Sequence, residues 1–446
     1  MALAEDLAVE GCDLRAGTAD DAIGGTAPEA SVEGAPPSRE AAQGGGGRRV
    51  GTAPEASGRA HAPIPAQVAR PADTEALGRV MAAAARHGLS VVARGHGTAS
   101  DWGAPPHTLD LLVDTTGLSW IEHIAGDLVV EVGAGTPMRE LTAVLAAAGQ
   151  RLSHDPVRAD ATVGGLLATG MSGPRRLLTG ALRDLVIGMT VVRADGVVAR
   201  SGGRVVKNVA GYDLAKLHTG ALGTLGIIAS AAFRLHPLPP ALRVVTARVP
   251  SLDHGRRMLA ALRARTAVPS AVELDWPADG PAHLHVVLEG TPDGLPARVD
   301  DVCAALRGES VPDVGEELPP GWGHLPDRGT LGFLTCPPAD ALPIAAWVCE
   351  VARAVGADVR VRGSAADGAL YAAFAPGTGA AAVAEVAEGV RSRPDCSLRV
   401  LRAEPAVHEA GVDLWGEVPG LPLMRAIKDS FDPGHRLAPG RFAGGI

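Results

Sequence analysis

The sequence contains few cysteines, and their positions exclude the common cysteine-bound metal centres. The five cysteines are scattered, and no two of them form a C-x-x-C pair: Cys12, Cys303, Cys336, Cys349 and Cys396. This spacing matches neither a zinc site nor an iron–sulfur cluster. An odd and sparse set of cysteines is typical of a reducing cytosol rather than of a secreted disulfide scaffold.

Aromatic residues and basic charge are also scarce. Aromatic residues make up 3% of the 446 residues and hydrophobic residues 46%, so the cores must be packed mainly with alanine, valine and leucine. The net charge of −9 argues against nucleic acid as a partner, because proteins that bind it present dense basic surfaces. An anionic cofactor would have to be held by backbone N–H groups and a few arginines.

Long apolar runs and several catalytic motifs are missing. No apolar run approaches the ~18 residues of a membrane span, and the acidic N-terminus lacks the basic-then-apolar order of a signal peptide. We therefore expect a cytoplasmic protein without a transmembrane segment, and peripheral attachment to the inner face of the cell membrane through a complex stays open. Neither G-x-x-x-x-G-K-[ST] nor G-x-S-x-G occurs, which leaves ATP-dependent phosphoryl transfer and serine hydrolysis without support.

Composition divides the chain into three parts. Residues 1–60 contain GTAPEAS twice, at 25–31 and 51–57, around a run of glycines. Such a segment cannot bury enough apolar surface to offset its ordering entropy, so we expect a disordered low-complexity tail. The two domains expected after it span 61–240 and 241–446.

Periodicity predicts mixed helices and strands in both domains. DTEALGRVMAAAARHG (73–88) predicts a helix with Asp73 as its N-cap, and LVIGMTVVRADGVVARSGG (185–203) predicts two strands joined at an Asp-Gly turn. After about residue 240, strands alternate with alanine-rich helices, which indicates a second α+β domain. The helices expected there are 252–266, 339–355 and 379–392.

One glycine motif resembles half of a dinucleotide-binding fingerprint. VVEVGAGTPMREL is typical of a strand, a Gly-x-Gly and a helix, and Asp155 follows Gly135 by about 20 residues. Met138 occupies the place of the third glycine, and no second strand positions Asp155. We interpret the motif as a packing unit rather than a nicotinamide site.

Three other glycine-rich segments occur in one order along the first domain. They are RGHGTASDWG (94–103), DPVRADATVGGLLATGMSGPRR (155–176) and GGRVVKNVAGYDLAKLHTGALGTLGII (202–228). Glycines allow backbone N–H groups to approach phosphate oxygens without an intervening Cβ. Three such segments separated by strands indicate several loops that converge on one long ligand containing phosphate.

In this order, the segments resemble the FAD-binding domain of the vanillyl-alcohol oxidase/p-cresol methylhydroxylase family. TVGGLLATGMSGPRR, GGRVVKNVAGYDLAKL and GALGTLGII resemble in particular the E-type FAD-binding subunits of glycolate oxidase complexes, and MRAIKDSFDPGHRLAPGRF (424–442) resembles the flavin-side C-terminal segment of the wider family. The resemblance covers about 62–442. It implies an α+β fold with a two-subdomain PCMH-type FAD-binding domain, followed by an α+β cap domain.

The resemblance also implies which residues contact FAD. Those around the pyrophosphate would be Arg94, Gly95, His96, Gly97 and Thr98. Those along the pyrophosphate and flavin would be Thr162, Val163, Gly164, Gly165, Ser172 and Gly173. Those beside the adenine and ribose would be Gly223, Thr224, Leu225, Gly226 and Ile227. Many relatives link FAD covalently through a histidine at the end of the first loop, where this chain has Thr98, so we expect non-covalent FAD; the alternative is a covalent link through His96.

A histidine-rich H-x-G-D-G-N stretch, typical of catalytic 2-hydroxy acid dehydrogenases in this family, is absent. On a strand, AHLHVVLEG would place His283, His285 and Glu289 on one face, but such a pattern is also that of any half-exposed strand, and we expect no metal site. No catalytic residue is assigned. Arg175 and Arg176, stiffened by the preceding proline, are candidates for contact with an anionic substrate or a partner, and a solvated pair is the alternative.

A polar cluster in the third segment is interpreted as structural. Lys207, Asn208, Tyr212 and Asp213 lie within VVKNVAGYDLAKL, and the chain has only two tyrosines. We expect these side chains to form a hydrogen-bond cluster that holds the third loop.

Three functional hypotheses follow. The first is an FAD-binding subunit of a glycolate oxidase/dehydrogenase complex that takes part in the two-electron oxidation of glycolate. The resemblance implies two partners for it, the D-type catalytic FAD subunit and the F-type iron–sulfur subunit of glycolate oxidase. The second hypothesis is a self-sufficient FAD-dependent oxidoreductase with another substrate. The third is a non-catalytic scaffold subunit.

Overall fold

The structure is a computed structural model, and it describes residues 2–24, 63–155, 157–158, 160–204, 211–308 and 311–446. Over these residues the chain forms three sheets of four or more strands, with helices packed on them. The first two sheets form two α+β subdomains and the third belongs to an α+β cap, as the resemblance implied.

The first subdomain is a four-stranded sheet with two helices. Its elements are α1 (Ala2–Leu7), β1 (Cys12–Ala16), β2 (Gln67–Pro71), α2 (Thr74–Arg86), β3 (Val91–Arg94) and β4 (Leu111–Asp114). The strand order is β1-β2-β4-β3; β2 and β3 run parallel to β4, and β1 runs antiparallel to β2. The carboxylate of Asp73 accepts a hydrogen bond from the Ala76 N–H at 2.7 Å, which confirms the predicted N-cap of α2.

Residues 2–24 are part of this subdomain, so the expectation of a disordered tail is wrong for them. β1 pairs with β2 in register, and Leu7 and Ile23 are fully buried. The repeat that suggested disorder begins only at residue 25. The expectation extended its composition to the preceding residues, which contain a short strand and two buried apolar side chains. Residues 25–62, which hold the repeat, lie outside the described residues.

The second subdomain contains a five-stranded antiparallel sheet. Its strands are β5 (Ile121–Ile124), β6 (Val129–Gly133), β8 (Val186–Val192), β9 (Val198–Gly202) and β10 (Ile227–Arg234), in the order β5-β6-β10-β8-β9. The short β7 (Gln150–Arg151) and β11 (His236–Pro237) pair with each other. The helices are α3 (Met138–Ala147), α4 (Val163–Thr169), α5 (Arg176–Thr179), α6 (Leu182–Leu185) and α7 (Leu214–His218). The predicted hairpin turn is confirmed, with Gly196 in the left-handed region at φ +88°.

The cap is an eight-stranded antiparallel sheet with helices packed against one face. Its strands are β12 (Ala241–Val249), β13 (Ala271–Trp276), β14 (Ala282–Gly290), β15 (Asp313–Gly315), β16 (Leu331–Thr335), β17 (Val359–Ser364), β18 (Ala369–Phe374) and β19 (Ser397–Arg402). The strand order is β15-β12-β14-β13-β17-β18-β16-β19. The helices are α8 (Leu252–Arg263), α9 (Pro296–Leu306), α10 (Ala341–Ala354) and α11 (Ala380–Arg391), and α8, α10 and α11 are those that the sequence predicted.

The two faces of the cap sheet have different chemistry. Leu284, Val286 and Leu288 of β14 pack into the core beneath the cap helices. His283, His285 and Glu289 lie on the opposite face, as the alternation predicted. On that opposite face, Phe333 and Tyr371 share a core with the second subdomain, so the polar residues beside them are held next to the FAD-binding part of the chain.

The C-terminal segment returns to the first subdomain. After α12 (Pro405–Glu409) and α13 (Leu421–Phe431), the Ala438 N–H donates to the Val91 carbonyl at 2.8 Å. The Val91 N–H donates in turn to the Arg436 carbonyl at 2.8 Å, so the segment lies along β3. The Arg441 guanidinium then donates to two carbonyls of the first glycine-rich segment. In the part of the chain described, none of the helices is both long and apolar enough to cross a bilayer.

Candidate functional site

The first and second glycine-rich segments touch at Gly95. A Cβ at this position would lie 2.2 Å from Oγ1 of Thr162, so only glycine allows the loop after β3 to lie this close to the start of α4. Gly97, two residues later, has φ +77° and turns the loop. The predicted convergence of these two segments is therefore present in the fold.

Arg94, at the start of this loop, is engaged by the N-terminal segment. Its Nη2 donates to Asp21 Oδ1 at 2.7 Å, and its Nη1 donates to the Asp20 carbonyl at 3.2 Å. Asp21 is buried and also binds Arg15, and the guanidinium groups of Arg15 and Arg94 hold the pKa of its carboxyl well below the usual range. Arg94 thus faces Asp21, a partner from the segment that was expected to be disordered.

His96 and Thr98 complete the loop. The His96 side chain is exposed, and its Nδ1 lies 2.9 Å from the carbonyl oxygen of Asp160, which it can reach as a donor. Thr98 is partly buried. His96 therefore contacts the second segment.

Two adjacent glycines of the second segment have different surroundings. A Cβ on Gly164 would meet the Ala134 side chain at 2.8 Å, and the Gly164 N–H donates to the Ala134 carbonyl at 2.7 Å. Gly164 therefore lets α4 pack on the end of β6. A Cβ on Gly165 would approach only the Thr162 hydroxyl, at 3.3 Å, so Gly165 leaves room for close approach. The side chain of Val163 is part of the core.

The third segment packs along α4. The Gly220 N–H donates to the Leu167 carbonyl at 2.9 Å, and a Cβ on Gly170 would lie 2.9 Å from the Gly220 Cα. Gly223 has φ +76° and no atom within 4 Å of its Cβ position. The other residues of this segment that the resemblance implied are buried: Thr224, Leu225, Gly226 and Ile227.

The Gly-x-Gly motif at 133–135 is a packing unit, as interpreted. Cβ atoms on Gly133 and Gly135 would lie 2.1 Å from the carbonyl oxygens of Leu118 and Thr115, respectively. These glycines allow the backbone at 133–135 to pack directly on the backbone at 115–118, which leaves no space for a dinucleotide at this turn.

The polar cluster expected in the third segment is only partly described. Lys207 and Asn208 lie outside the described residues. Tyr212 is 89% exposed, so its side chain does not pack into the loop, and the hydrogen-bond cluster stays a prediction. Asp213 forms an exposed ion pair with Lys216. The rarity of tyrosine in the chain was a poor guide, because rarity says nothing about burial.

The two arginines of SGPRR have separate surroundings. The Arg175 side chain is largely buried and binds the carboxylates of Asp155 and Glu289, the second through Nε at 2.8 Å. Glu289 also binds Arg151, and Trp322 Nε1 donates to Asp155 at 3.1 Å. Arg175 thus links the second subdomain to the cap and is not a solvated side chain. The Glu289 carboxylate is bound by Arg151 and Arg175.

Arg176 lines a cleft between the second subdomain and the cap sheet. Its Nε lies 2.8 Å from Asp367 Oδ2, and about a third of its side chain is exposed. The cleft has Ser172 and Gly173 on the subdomain side. The cap side contributes Glu273, His324, Arg362, Ser364 and Tyr371.

Glu273 is the acidic group in this cleft, and sequence reasoning missed it. Its Oε1 is buried and has no hydrogen-bond partner among the described residues. Burial, with the nearby charges of Asp155 and Asp367, raises the pKa of Glu273 to about 8. The signal in the sequence was the alternation in AVELDW: Val272 and Leu274 face the cap helices, so the two acids, Glu273 and Asp275, lie on the opposite face.

Tyr371 and Ser172 close the cleft from two sides. The Tyr371 hydroxyl donates to the Ser172 carbonyl at 3.4 Å, and the Leu182 N–H donates to Ser172 Oγ at 2.9 Å. Gly173 packs on Asp155, where a Cβ would lie 2.6 Å from the Asp155 Cβ. Among the described residues, no group of three His, Cys, Asp or Glu side chains could hold a metal ion.

Comparison with known proteins agrees with this geometry. Residues 65–202 match the family model described as FAD binding domain. The chain is similar to D-lactate dehydrogenase of Archaeoglobus fulgidus, at 31% identity over 46% of this chain and 46% of that protein. It is similar to glycolate oxidase subunit GlcD of Bacillus subtilis, at 30% identity over 52% and 49%. It is similar to glycolate oxidase subunit GlcE of Escherichia coli, at 41% identity over 26% and 33%.

In each of these curated relatives the match spans less than half of the relative's length. A solved structure of alkyldihydroxyacetonephosphate synthase covers 84% of this chain and 76% of that chain, with a TM-score of 0.62 and 15% identity. This likeness concerns the fold, which it extends from the FAD-binding part to the cap. The three glycine-rich segments lie against one another, and the family match assigns FAD binding to residues 65–202 of this chain.

Proposed function

We propose that this chain is the FAD-binding subunit of a glycolate oxidase/dehydrogenase-type complex that oxidises a small 2-hydroxy acid such as glycolate. The observation that carries the proposal is the cleft between SGPRR and the cap sheet, in which Arg176 and Arg362 lie beside Glu273. Two permanent cations attract a carboxylate, and a carboxyl group can exchange a proton with a hydroxyl. The relatives named glycolate oxidase subunits and D-lactate dehydrogenase support this class of substrate.

FAD supplies the acceptor for two electrons when it is bound. We propose that the backbone around Gly95, Gly97, Gly165 and Gly223 holds it. Gly97 and Gly223 have left-handed backbone, a Cβ on Gly95 would meet Thr162, and Gly165 leaves room for close approach. Arg176 and Arg362 would orient the substrate carboxylate. The Tyr371 ring and the Ser172 backbone narrow the cleft and limit water.

We further propose that a GlcD-type catalytic FAD subunit and an iron–sulfur subunit are partners, in the cytoplasm. The five scattered cysteines offer no cluster site, so electrons would have to leave through another chain. One observation favours the self-sufficient alternative: Glu273 adds a buried carboxyl group to the cleft beside two arginines, which the sequence alone did not reveal.

We expect glycolate or D-lactate oxidation with an artificial acceptor to be undetectable for this chain alone and to appear on co-expression with the two partner subunits. The control is co-expression of the two partners without this chain, which should be much less active. Robust turnover by the isolated chain would instead favour the self-sufficient enzyme. If the two partners are equally active without this chain, the complex assignment is wrong.

We expect the purified chain to be yellow and to release its flavin on acid or heat precipitation, because Thr98 stands where covalently linked relatives carry histidine. The measurement is flavin absorbance in the supernatant and in the pellet. Flavin retained by the pellet would point to His96 as a covalent attachment site. A colourless chain that cannot be loaded with FAD would favour a scaffold.

A further inference from the structure

Two polar side chains on neighbouring strands line the cleft, and each has a buried atom with no hydrogen-bond partner in the part of the chain that the structure describes. Glu273 on β13 and Ser364 on β17 are opposite residues in the register of these strands. Glu273 Oε1 and Ser364 Oγ are both buried, and neither has a hydrogen-bond partner among the described residues. Since buried polar groups in native proteins are almost always paired, these atoms indicate a place where a polar ligand binds.

The two arginines of the same cleft use only some of their N–H groups in contacts with the described residues. Arg362 Nε lies 3.8 Å from Asp275 Oδ1, and its terminal nitrogens donate to the carbonyls of His324 and Gly321 at 3.3 Å each. Arg176 has Asp367 as its carboxylate partner. A guanidinium group has five N–H donors, so both arginines keep donors for an anion.

The charged groups around Glu273 have opposite effects on its pKa. Asp155 and Asp367 raise its pKa, Arg362 and Arg176 lower it, and burial is the largest cause of the rise to about 8. A neutral Glu273 can donate to a ligand oxygen, whereas an ionised Glu273 would repel an anion.

Two further groups face Glu273 and do not titrate in the same range. His285 lies opposite Glu273 in the register of β13 and β14, and burial lowers its pKa to about 4. Burial raises the pKa of Tyr371 well above its usual range. Both side chains therefore stay neutral between pH 7 and pH 9, where Glu273 changes charge.

We propose that the cleft binds a small carboxylate anion and that Glu273 must be protonated for the anion to bind. Arg176 and Arg362 supply donors to the carboxylate, and neutral Glu273 donates a hydrogen bond without adding a second negative charge. The anion therefore binds together with a proton. The inference rests on the proposed function only for the choice of a 2-hydroxy acid as the anion.

The test is calorimetric titration of the purified, FAD-loaded full chain with glycolate, in two buffers of different ionisation enthalpy. We expect binding to be about tenfold weaker at pH 9 than at pH 7, because a ligand that selects the protonated form loses affinity as that form disappears. At pH 9, about one proton should be taken up per glycolate bound, against almost none at pH 7. Glycolate itself stays ionised over this range.

Variants assign the effect to the named residues. In Glu273→Gln, whose amide is neutral at every pH, we expect glycolate affinity to be independent of pH and proton uptake to vanish. Arg176→Gln should weaken binding about tenfold or more, as expected for loss of a charge-assisted contact. Arg257→Gln, an exposed arginine of α8, is the matched control and should bind as the wild type does.

Three results would overturn the inference: no glycolate binding by the FAD-loaded chain, equal affinity at pH 7 and pH 9, or proton uptake that persists in Glu273→Gln. The wild-type titration decides even if a variant does not fold. Because no turnover is measured, proton-linked binding with an inactive complex would count against the proposed function alone. An active complex without proton-linked binding would count against this inference alone.

Discussion

Deletion of residues 2–24 is expected to destabilise the first subdomain strongly and to lower the FAD content of the purified chain. The deletion removes the edge strand β1 and the buried side chains of Leu7 and Ile23. Full burial of each such side chain contributes about 2 kcal/mol, so several kcal/mol of stability should be lost. Urea denaturation and the flavin-to-protein absorbance ratio measure the two effects.

Asp21 allows the same prediction to be tested by a single side-chain change. Asp21→Asn removes the buried charge that binds Arg94 and Arg15, and loss of one partner of a buried ion pair costs about 3 kcal/mol. The control is Asp20→Asn, since Asp20 is exposed and offers Arg94 only its backbone carbonyl. Equal stability of the two variants, and normal FAD content after the deletion, would show that the N-terminal segment is dispensable.

Replacement of Lys428 by methionine is expected to cause the largest loss of stability for a single side chain. Its ammonium group is fully buried and donates to Asp432 Oδ2 at 2.8 Å, to the Thr224 carbonyl at 2.8 Å and to the Leu437 carbonyl at 2.9 Å. Without it the buried Asp432 carboxylate keeps a bond from the Leu437 N–H but has no cation, a situation that costs about 3–5 kcal/mol.

The matched control is Lys216→Met, because Lys216 is half exposed and forms only a surface ion pair with Asp213. The double variant Lys428→Met/Asp432→Asn should recover part of the loss, since it removes both charges. A Lys428→Met protein as stable as Lys216→Met would contradict the prediction. FAD content should fall with stability, because Thr224 lies in the third glycine-rich segment.

The sequence predicted well those features that depend on local pattern. The helix over 73–88 was recognisable from its N-cap and its apolar spacing, and the cap helices from their length and alanine content. The alternation in β14 placed His283 and His285 correctly on the polar face. The three glycine-rich segments themselves predicted that their loops converge, and the structure brings them together. The resemblance supplied what local pattern could not, which is that the ligand is FAD.

The sequence did not predict the charged residues that tertiary packing buries. In α13 the buried residue is Lys428, whereas Leu423 and Met424 are exposed. The positions of the apolar residues in this helix would therefore predict the wrong buried face. The partner carbonyl of Thr224 is 204 residues away. Glu273 and Asp21 were missed for the same reason, because each acquires its role from neighbours that no window of sequence contains.

The β3 edge of the first sheet is covered by a segment that is synthesised long after the sheet itself. β1 is the edge strand on one side. On the other side residues 436–438 lie along β3, and the Arg436 guanidinium donates to the Leu89 carbonyl, 347 residues earlier in the sequence. A growing chain on the ribosome would therefore carry β3 as an open edge until residues 436–438 have been made. Open strand edges recruit other chains, and such distant contacts form slowly. The interval in which this protein is most exposed to aggregation is thus the whole time needed to translate its cap.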